Sequence, residues 1–319
     1  MARINQYHPQ TISHPGETLK EKLEELNMGA KEFAVRTGKP EKTITAILNG
    51  TSSITSDMAV KFENVLKIPA RYWLRHQAGY DERESRYKLR EIYIKEGKEW
   101  TKAMPYAAMV ELGWLLAASK SVDKRERLLD FFGFGAHSAW TDYYRNRELK
   151  AQFNISLKHT EADYALSAWL RQGQIQASDM KAPLFDKKKL KENLKKMKTL
   201  MLQQEEKSFQ KLQDLCLETG IQLIHTTVLP QISVTASTRW LNKTPLIQLA
   251  LKPEQNKDFW FTFFHAMGHI LLHGKKFISL ENVEYADKNE LKEQEANDFA
   301  NTCIFGKKGN KRVVKKVIF

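Results

Sequence analysis

At 319 residues the chain exceeds one ordinary hydrophobic core, so two or three domains are expected. With 42% hydrophobic and 10% aromatic residues it is excluded from the disordered class, and its two distant cysteines, Cys216 and Cys303, exclude a disulfide framework or a cysteine zinc site. The net charge of +13 favours polyanions, above all nucleic acid, although excess lysine also serves solubility and charge alone does not decide.

The opening MARINQYHPQ lacks the apolar core of a signal peptide. His14-Pro15-Gly16 is a turn, after which Leu19, Leu23 and Leu26 recur at helical spacing until Asn27-Met28-Gly29. A short second helix spans Ala30 to Thr37 and buries Phe33 and Ala34. Gly38-Lys39-Pro40 then turns the chain into a third, Glu41 to Leu48, which buries Ile44, Ile47 and Leu48 and stops at Asn49-Gly50.

Two short helices joined by a glycine-containing turn form a helix-turn-helix unit, whose second helix lies in the major groove of DNA. Thr43 and Thr45 are short enough to meet base edges, and Lys39, Lys42 and Lys31 can reach phosphates or guanine. The competing reading is a plain helical bundle with a lysine-rich face. Ser56 to Leu66 and Ala70 to Tyr80 complete a five-helix domain over residues 1–80, with Ala59, Phe62, Val65, Leu66, Tyr72, Trp73 and Leu74 as its expected core. From His14 to about Asp81 the run beginning HPGETLKEKLEELNMGAKEFAVRTGKPEKTITAILNG resembles the DNA-binding domain of HigA-type antitoxins, within the Xre and lambda-repressor-like family. That resemblance implies operator DNA as a partner, a homodimer, and autoregulation of a toxin–antitoxin operon.

Residues 81–185 read as a helical middle. A charged connecting helix spans Asp81 to Trp100, a buried one Pro105 to Ala118, an amphipathic one Lys124 to Phe132, and another Glu161 to Leu170. The longest apolar patch, Met109 to Ala118, is short and contains Glu111, so no membrane span and a cytoplasmic location are expected. His137 and His159 stand alone and receive no role. Lys187 to Lys198 is rich in lysine with Leu190, Leu194 and Met197 at helical spacing, and reads as the wet face of a helix in preference to a phosphate or partner contact.

In residues 186–319 the period changes to alternation, with strands expected at Ile221 to Val228, Ser233 to Trp240 and Pro245 to Leu251. They form a small three-stranded sheet ahead of FWFTFFHAMGHILLH, whose aromatic face packs on it. On that helix His265 and His269 stack four residues apart, the spacing with which two imidazoles share a zinc ion. An H-x-x-x-H pair also arises by chance. The deciding feature is ELKEQEANDFA, a second helix in which Glu295 is the best third ligand. His273 is its rival, though three ligands from one straight helix converge poorly on a tetrahedral ion. In the H-E-x-x-H pattern a glutamate follows the first histidine and takes a proton from zinc-bound water; here that catalytic position is Ala266.

The segments RWLNKTPLIQLAL, FWFTFFHAMGHILLHG and EQEANDFA together resemble the ImmA/IrrE family of zinc metallopeptidases. The resemblance implies a zincin-like domain, Zn2+ on His265, His269 and Glu295, and cleavage of a toxin or repressor protein. Ala266 departs from the family glutamate, and losing the general base typically costs a factor of about 10²–10⁴ in rate. The basic, apolar GKKGNKRVVKKVIF is either a closing strand or a tail.

The expected fold is mostly α, α+β overall: a five-helix DNA-binding domain, a helical middle and a zincin-like end. The function read from it is a regulator or antitoxin carrying a metallopeptidase domain whose hydrolysis is abolished at Ala266. Two alternatives stay open. One is a site-specific peptidase active only with glutamate at 266, and the other a degenerate peptidase fold that holds a partner without cutting.

Overall fold

A computed structural model describes residues 13–144, 162–203, 208–252, 258–275, 277–283 and 288–306. His159 and all but the first residue of GKKGNKRVVKKVIF lie outside the described residues. The chain divides into two compact units, Met1–Glu96 and Gly97–Phe319.

The first unit holds α1 (Pro15–Glu25), α2 (Ala30–Thr37), α3 (Glu41–Leu48), α4 (Ser56–Leu66) and α5 (Ala70–Lys95). Its core is the set of apolar positions that recur at helical spacing: Leu19, Phe33, Ile44, Ile47, Phe62 and Trp73 are all fully buried. Helix α1 begins on a cap in which the His14 imidazole accepts from the Gly16 amide at 2.9 Å. Gly16 is where α1 meets the end of α3, since a Cβ there would stand 1.9 Å from the Ile47 carbonyl oxygen. The fifth helix and the expected connecting helix are one continuous element, because no proline falls between Ala70 and Lys95 and Gly79 stays within the helix. Tyr72 is 43% exposed rather than buried, because its neighbour Trp73 takes the inward position on that turn.

The second unit begins with α6 (Lys98–Ala103), α7 (Tyr106–Glu111), α8 (Ser121–Phe132) and α9 (His137–Tyr144). The buried helix expected over Pro105 to Ala118 stops at Glu111. Gly113 takes φ +73° just beyond it, and Leu116 is left 65% exposed. Next come α10 (Asp163–Ser178), α11 (Lys187–Gln203), α12 (Ser208–Leu217), β1 (Gln222–His225), β2 (Ala236–Leu241), β3 (Thr244–Leu249), α13 (Phe259–His273), β4 (Ser279–Glu281) and α14 (Glu290–Phe305).

The sheet has four strands where three were expected. Its order is β1-β3-β2-β4, with β1 parallel to β3 and the other pairings antiparallel. Alternation along the strands makes two faces. Leu223, Ala236, Ile247 and Leu249 join the aromatic residues Phe259, Phe263 and Phe264 of α13 in the main core. On the other face Ile224 and Leu246 pack with Ala177 of α10, and the buried Arg239 donates to the Leu170 carbonyl and to Gln248 Oε1, each at 2.8 Å. Burial pushes the Arg239 guanidinium down to about 10. Helix α11 buries Leu190, Met197 and Leu200, and its Lys187 reaches across to donate to the Leu271 carbonyl of α13 at 2.8 Å. Among the described residues no helix is long and apolar enough to cross a membrane.

The Gly16 contact yields a test. Gly16→Ala forces a methyl group into the Ile47 carbonyl and is expected to destabilise the first unit by about 1–3 kcal/mol. Thermal denaturation followed by circular dichroism would read this as a fall of several degrees in that unit's transition. An unchanged transition would show that α1 and α3 separate without cost.

Candidate metal centre and candidate nucleic-acid interface

Three elements of the second unit converge at one buried point. Helix α13 is apolar nearly all round and therefore lies inside the unit. Its His265 and His269 are 3% and 1% exposed, with their Nε2 atoms 2.8 Å apart. Helix α14 starts on Asn289, whose side chain accepts from the Lys292 amide at 3.1 Å. It then packs closely on α13, because Gly268 leaves room: a Cβ there would stand 3.2 Å from the Ala296 Cα. Ala296 and Ala300 are buried on that face, and Glu293, one turn before Ala296, shares it.

Glu293 Oε2 lies 3.4 Å from His265 Nε2, and its Oε1 lies 3.6 Å from His269 Nε2. From β4 comes Glu281, with Oε1 3.0 Å from His265 Nε2 and 3.6 Å from His269 Nε2. Pairing with β2 sets its place, since Glu281 stands opposite Ala236 and Ser279 opposite Thr238. The Ser279 hydroxyl also donates to the Glu281 carboxylate. The four ligand-type atoms all lie within 4.8 Å of one another.

Around this group other side chains fix the rings. His265 Nδ1 lies 2.9 Å from Asn297 Oδ1, so that nitrogen donates to the amide oxygen and Nε2 is turned toward the cluster. His269 Nδ1 lies 2.9 Å from His273 Nδ1, and His273 Nε2 lies 2.8 Å from Glu295 Oε2. Glu295 is thus brought to His273 and not to the pair. It stands two residues from Glu293 and hence on another side of α14, with its side chain 63% exposed. Ala266 is fully buried in the apolar core beside the site.

Burial opposes a charge on His265, but hydrogen bonds to Glu281 and Glu293 outweigh it and lift its pKa to about 9. Burial, and the neighbouring His265, push His269 down despite its contact with Glu281. Burial would raise Glu281, yet its hydrogen bonds to the two imidazoles hold it far below the usual carboxylate range. Two imidazole nitrogens facing each other beside two half-buried carboxylates make a set suited to a divalent cation such as zinc. Glu293 Oε1, buried without a hydrogen-bond partner, is the atom such an ion would satisfy.

A second candidate surface lies on the first unit. Helices α2 and α3 are joined through Gly38, which takes the left-handed conformation at φ +62°. Lys31 and Lys42 are exposed and Thr43 is half-buried. Thr45 is exposed, but its hydroxyl donates to the Glu41 carbonyl at 3.0 Å. Lys39 forms an ion pair with Asp57. The structure therefore keeps Lys31, Lys42 and Thr43 at or near the surface of the helix pair, while Lys39 and Thr45 already have protein partners.

The sequence profile described as helix-turn-helix matches residues 19–73. The chain is 39% identical to virulence-associated protein A of Dichelobacter nodosus, over 21% of this chain and 68% of that protein. It is 33% identical to the uncharacterised HTH-type transcriptional regulator YddM of Escherichia coli strain K12, over 20% of this chain and 67% of that protein. Among solved structures it is similar to an addiction module antidote protein of a HigA family from Coxiella burnetii, with 36% identity, a TM-score of 0.25, and cover of 26% of this chain and 92% of that one.

Two of the four converging side chains, Glu281 and Glu293, were not singled out by sequence spacing. Glu293 carried a usable signal, since Ala296 and Ala300 mark the face of α14 that meets α13 and Glu293 falls on it. Glu281 carried none, because a strand of three residues shows no period.

The coupled histidine and carboxylate make stability depend on pH. His265, raised from 6.5 to about 9, contributes stability that is fully present below pH 6.5 and lost as pH rises through about 9. Glu281, lowered from 4.5, contributes stability present above that pH and lost as pH falls toward its depressed value. These are two ends of one interaction and count once. In metal-free protein, urea denaturation should show the second unit losing on the order of 2–3 kcal/mol between pH 6.5 and 9. Glu281→Gln should flatten that slope, and a level profile in the parent chain would contradict the pairing.

Proposed function

The chain belongs to the helix-turn-helix family through residues 19–73, and on that footing we propose that it is a DNA-binding transcriptional regulator of antitoxin type whose second unit holds a metal. The observation that carries the first part is the α2–α3 pair with its left-handed glycine turn, matched by the family profile and presenting Lys31, Lys42 and Thr43. A recognition helix so placed meets base edges through short side chains and phosphates through lysines. The HigA-type resemblance supports operator DNA as the ligand, a homodimer as the binding form, and a toxin or repressor protein as the partner.

The metal reading rests on the four convergent side chains. His265, His269, Glu293 and Glu281 would hold the ion, with Asn297 and the His273–Glu295 pair orienting the two rings. Glu295, expected from sequence as a ligand, takes this outer role in the proposal. Zinc held there would supply Lewis acidity, and an acidified water only where a coordination position stays open. What this chain lacks is a base after the first histidine, because Ala266 has no group to take a proton. The ImmA/IrrE-like end is therefore read as a partner-holding domain without hydrolysis, with Ala266 itself fully buried among apolar side chains.

Two measurements test the two parts. Binding of the chain to the DNA upstream of its own gene should weaken steeply with salt, and Lys42→Ala should weaken it further while lowering the log–log salt slope by about 1. Equal affinity for unrelated DNA, or no effect of the variant, would count against the regulator reading. Elemental analysis of protein purified without chelator should find zinc at about one ion per chain, and His269→Ala should lose it. A folded, metal-free parent protein that takes up no zinc on addition would overturn the second part.

A further inference from the structure

A metal site that serves hydrolysis keeps one position open for water, whereas a structural site is closed by protein on all four sides. Resting on the reading that this cluster holds a metal, we propose that Glu281 occupies the fourth ligand position, so that the centre is closed and joins α13, β4 and α14 in place of presenting a water.

Three observations carry this. First, four ligand atoms held about 2.0–2.1 Å from a tetrahedral ion stand about 3.3 Å from one another. The separations here are 2.8 Å between the histidine nitrogens, 3.0 and 3.6 Å from Glu281 Oε1, 3.4 Å from Glu293 Oε2 to His265 and 3.6 Å from Glu293 Oε1 to His269, and all four ligand atoms lie within 4.8 Å of one another. Glu281 is thus as near to both imidazoles as Glu293 is. A general base would stand farther off, with a water between it and the ion. Second, Glu281 is fixed in that place by the β2–β4 register and by the Ser279 hydroxyl, and only 17% of its side chain is exposed. Third, the charges balance. Two carboxylates and two neutral imidazoles leave a dication neutral in a buried setting, where any residual charge would be costly. Ala266 fits the same picture, since a closed centre has no water for a base to activate.

The test uses the full chain stripped of metal and loaded with Co2+, whose visible absorption reports its ligands, followed by titration with acetohydroxamate. The expected result is a four-coordinate spectrum in the parent chain that acetohydroxamate does not move. Glu281→Ala is expected to bind Co2+ at least about tenfold more weakly and to give a spectrum that shifts when acetohydroxamate enters the vacated position. A parent spectrum that shifts with acetohydroxamate would overturn the closure while leaving the metal reading intact. A parent chain that binds no Co2+ would remove the metal reading and the closure with it. Should the variant fail to fold, the parent titration alone decides between an open and a closed site.

Discussion

The second unit depends on the close approach of α13 and α14 at Gly268 and Ala296. A larger side chain at 268 would push α14 outward. Glu293 and Asn297, which sit on the same face as Ala296, would then leave the two histidines. Small residues at a helix crossing are usually read as packing detail. Here they set the reach of two polar side chains, and through them the direction in which His265 turns its Nε2 toward the cluster. The sheet completes the arrangement from the opposite side by delivering Glu281 at the end of a three-residue strand.

The first unit rests on a different economy. Its helices α2 and α3 are short, and an isolated helix of eight residues is not stable in water. They persist because each contributes one or two large apolar residues to one core, and because Gly16 and Gly38 allow the close contact and the tight turn that the core requires. This leaves the outer faces of α2 and α3 unburdened by packing. Such a division, with stability inside and recognition outside, lets a small domain present a rigid helix to a ligand.

Much of this was legible in the sequence, for identifiable reasons. The helices of the first unit follow their apolar spacing and their Gly, Pro and Asn punctuation, and strands β1 to β3 follow alternation, each within a few residues. Helix α13 and its inward histidines follow from the aromatic run and the four-residue spacing. What was not legible has physical causes too. Glu293 and Glu295 stand two residues apart, which turns a side chain through about 200° along a helix, and the structure brings Glu295 to His273. The fourth strand has no pattern to read, and the end of α7 was hidden in an apolar stretch that only Glu111 and Gly113 interrupt. Contacts between distant segments, such as Lys187 with Leu271 or Arg239 with Leu170, leave no mark in local sequence.

β4 forms one border of the sheet and pairs with β2 through three residues. So short a ladder contributes little holding power of its own, and Glu281 is its last residue. Whatever anchors that carboxylate also decides whether β2 meets its surroundings with satisfied amides or with a bare edge. Bare edges recruit strands from other chains. The cover over the edge of β2 is therefore tied to the hold on a single acidic side chain.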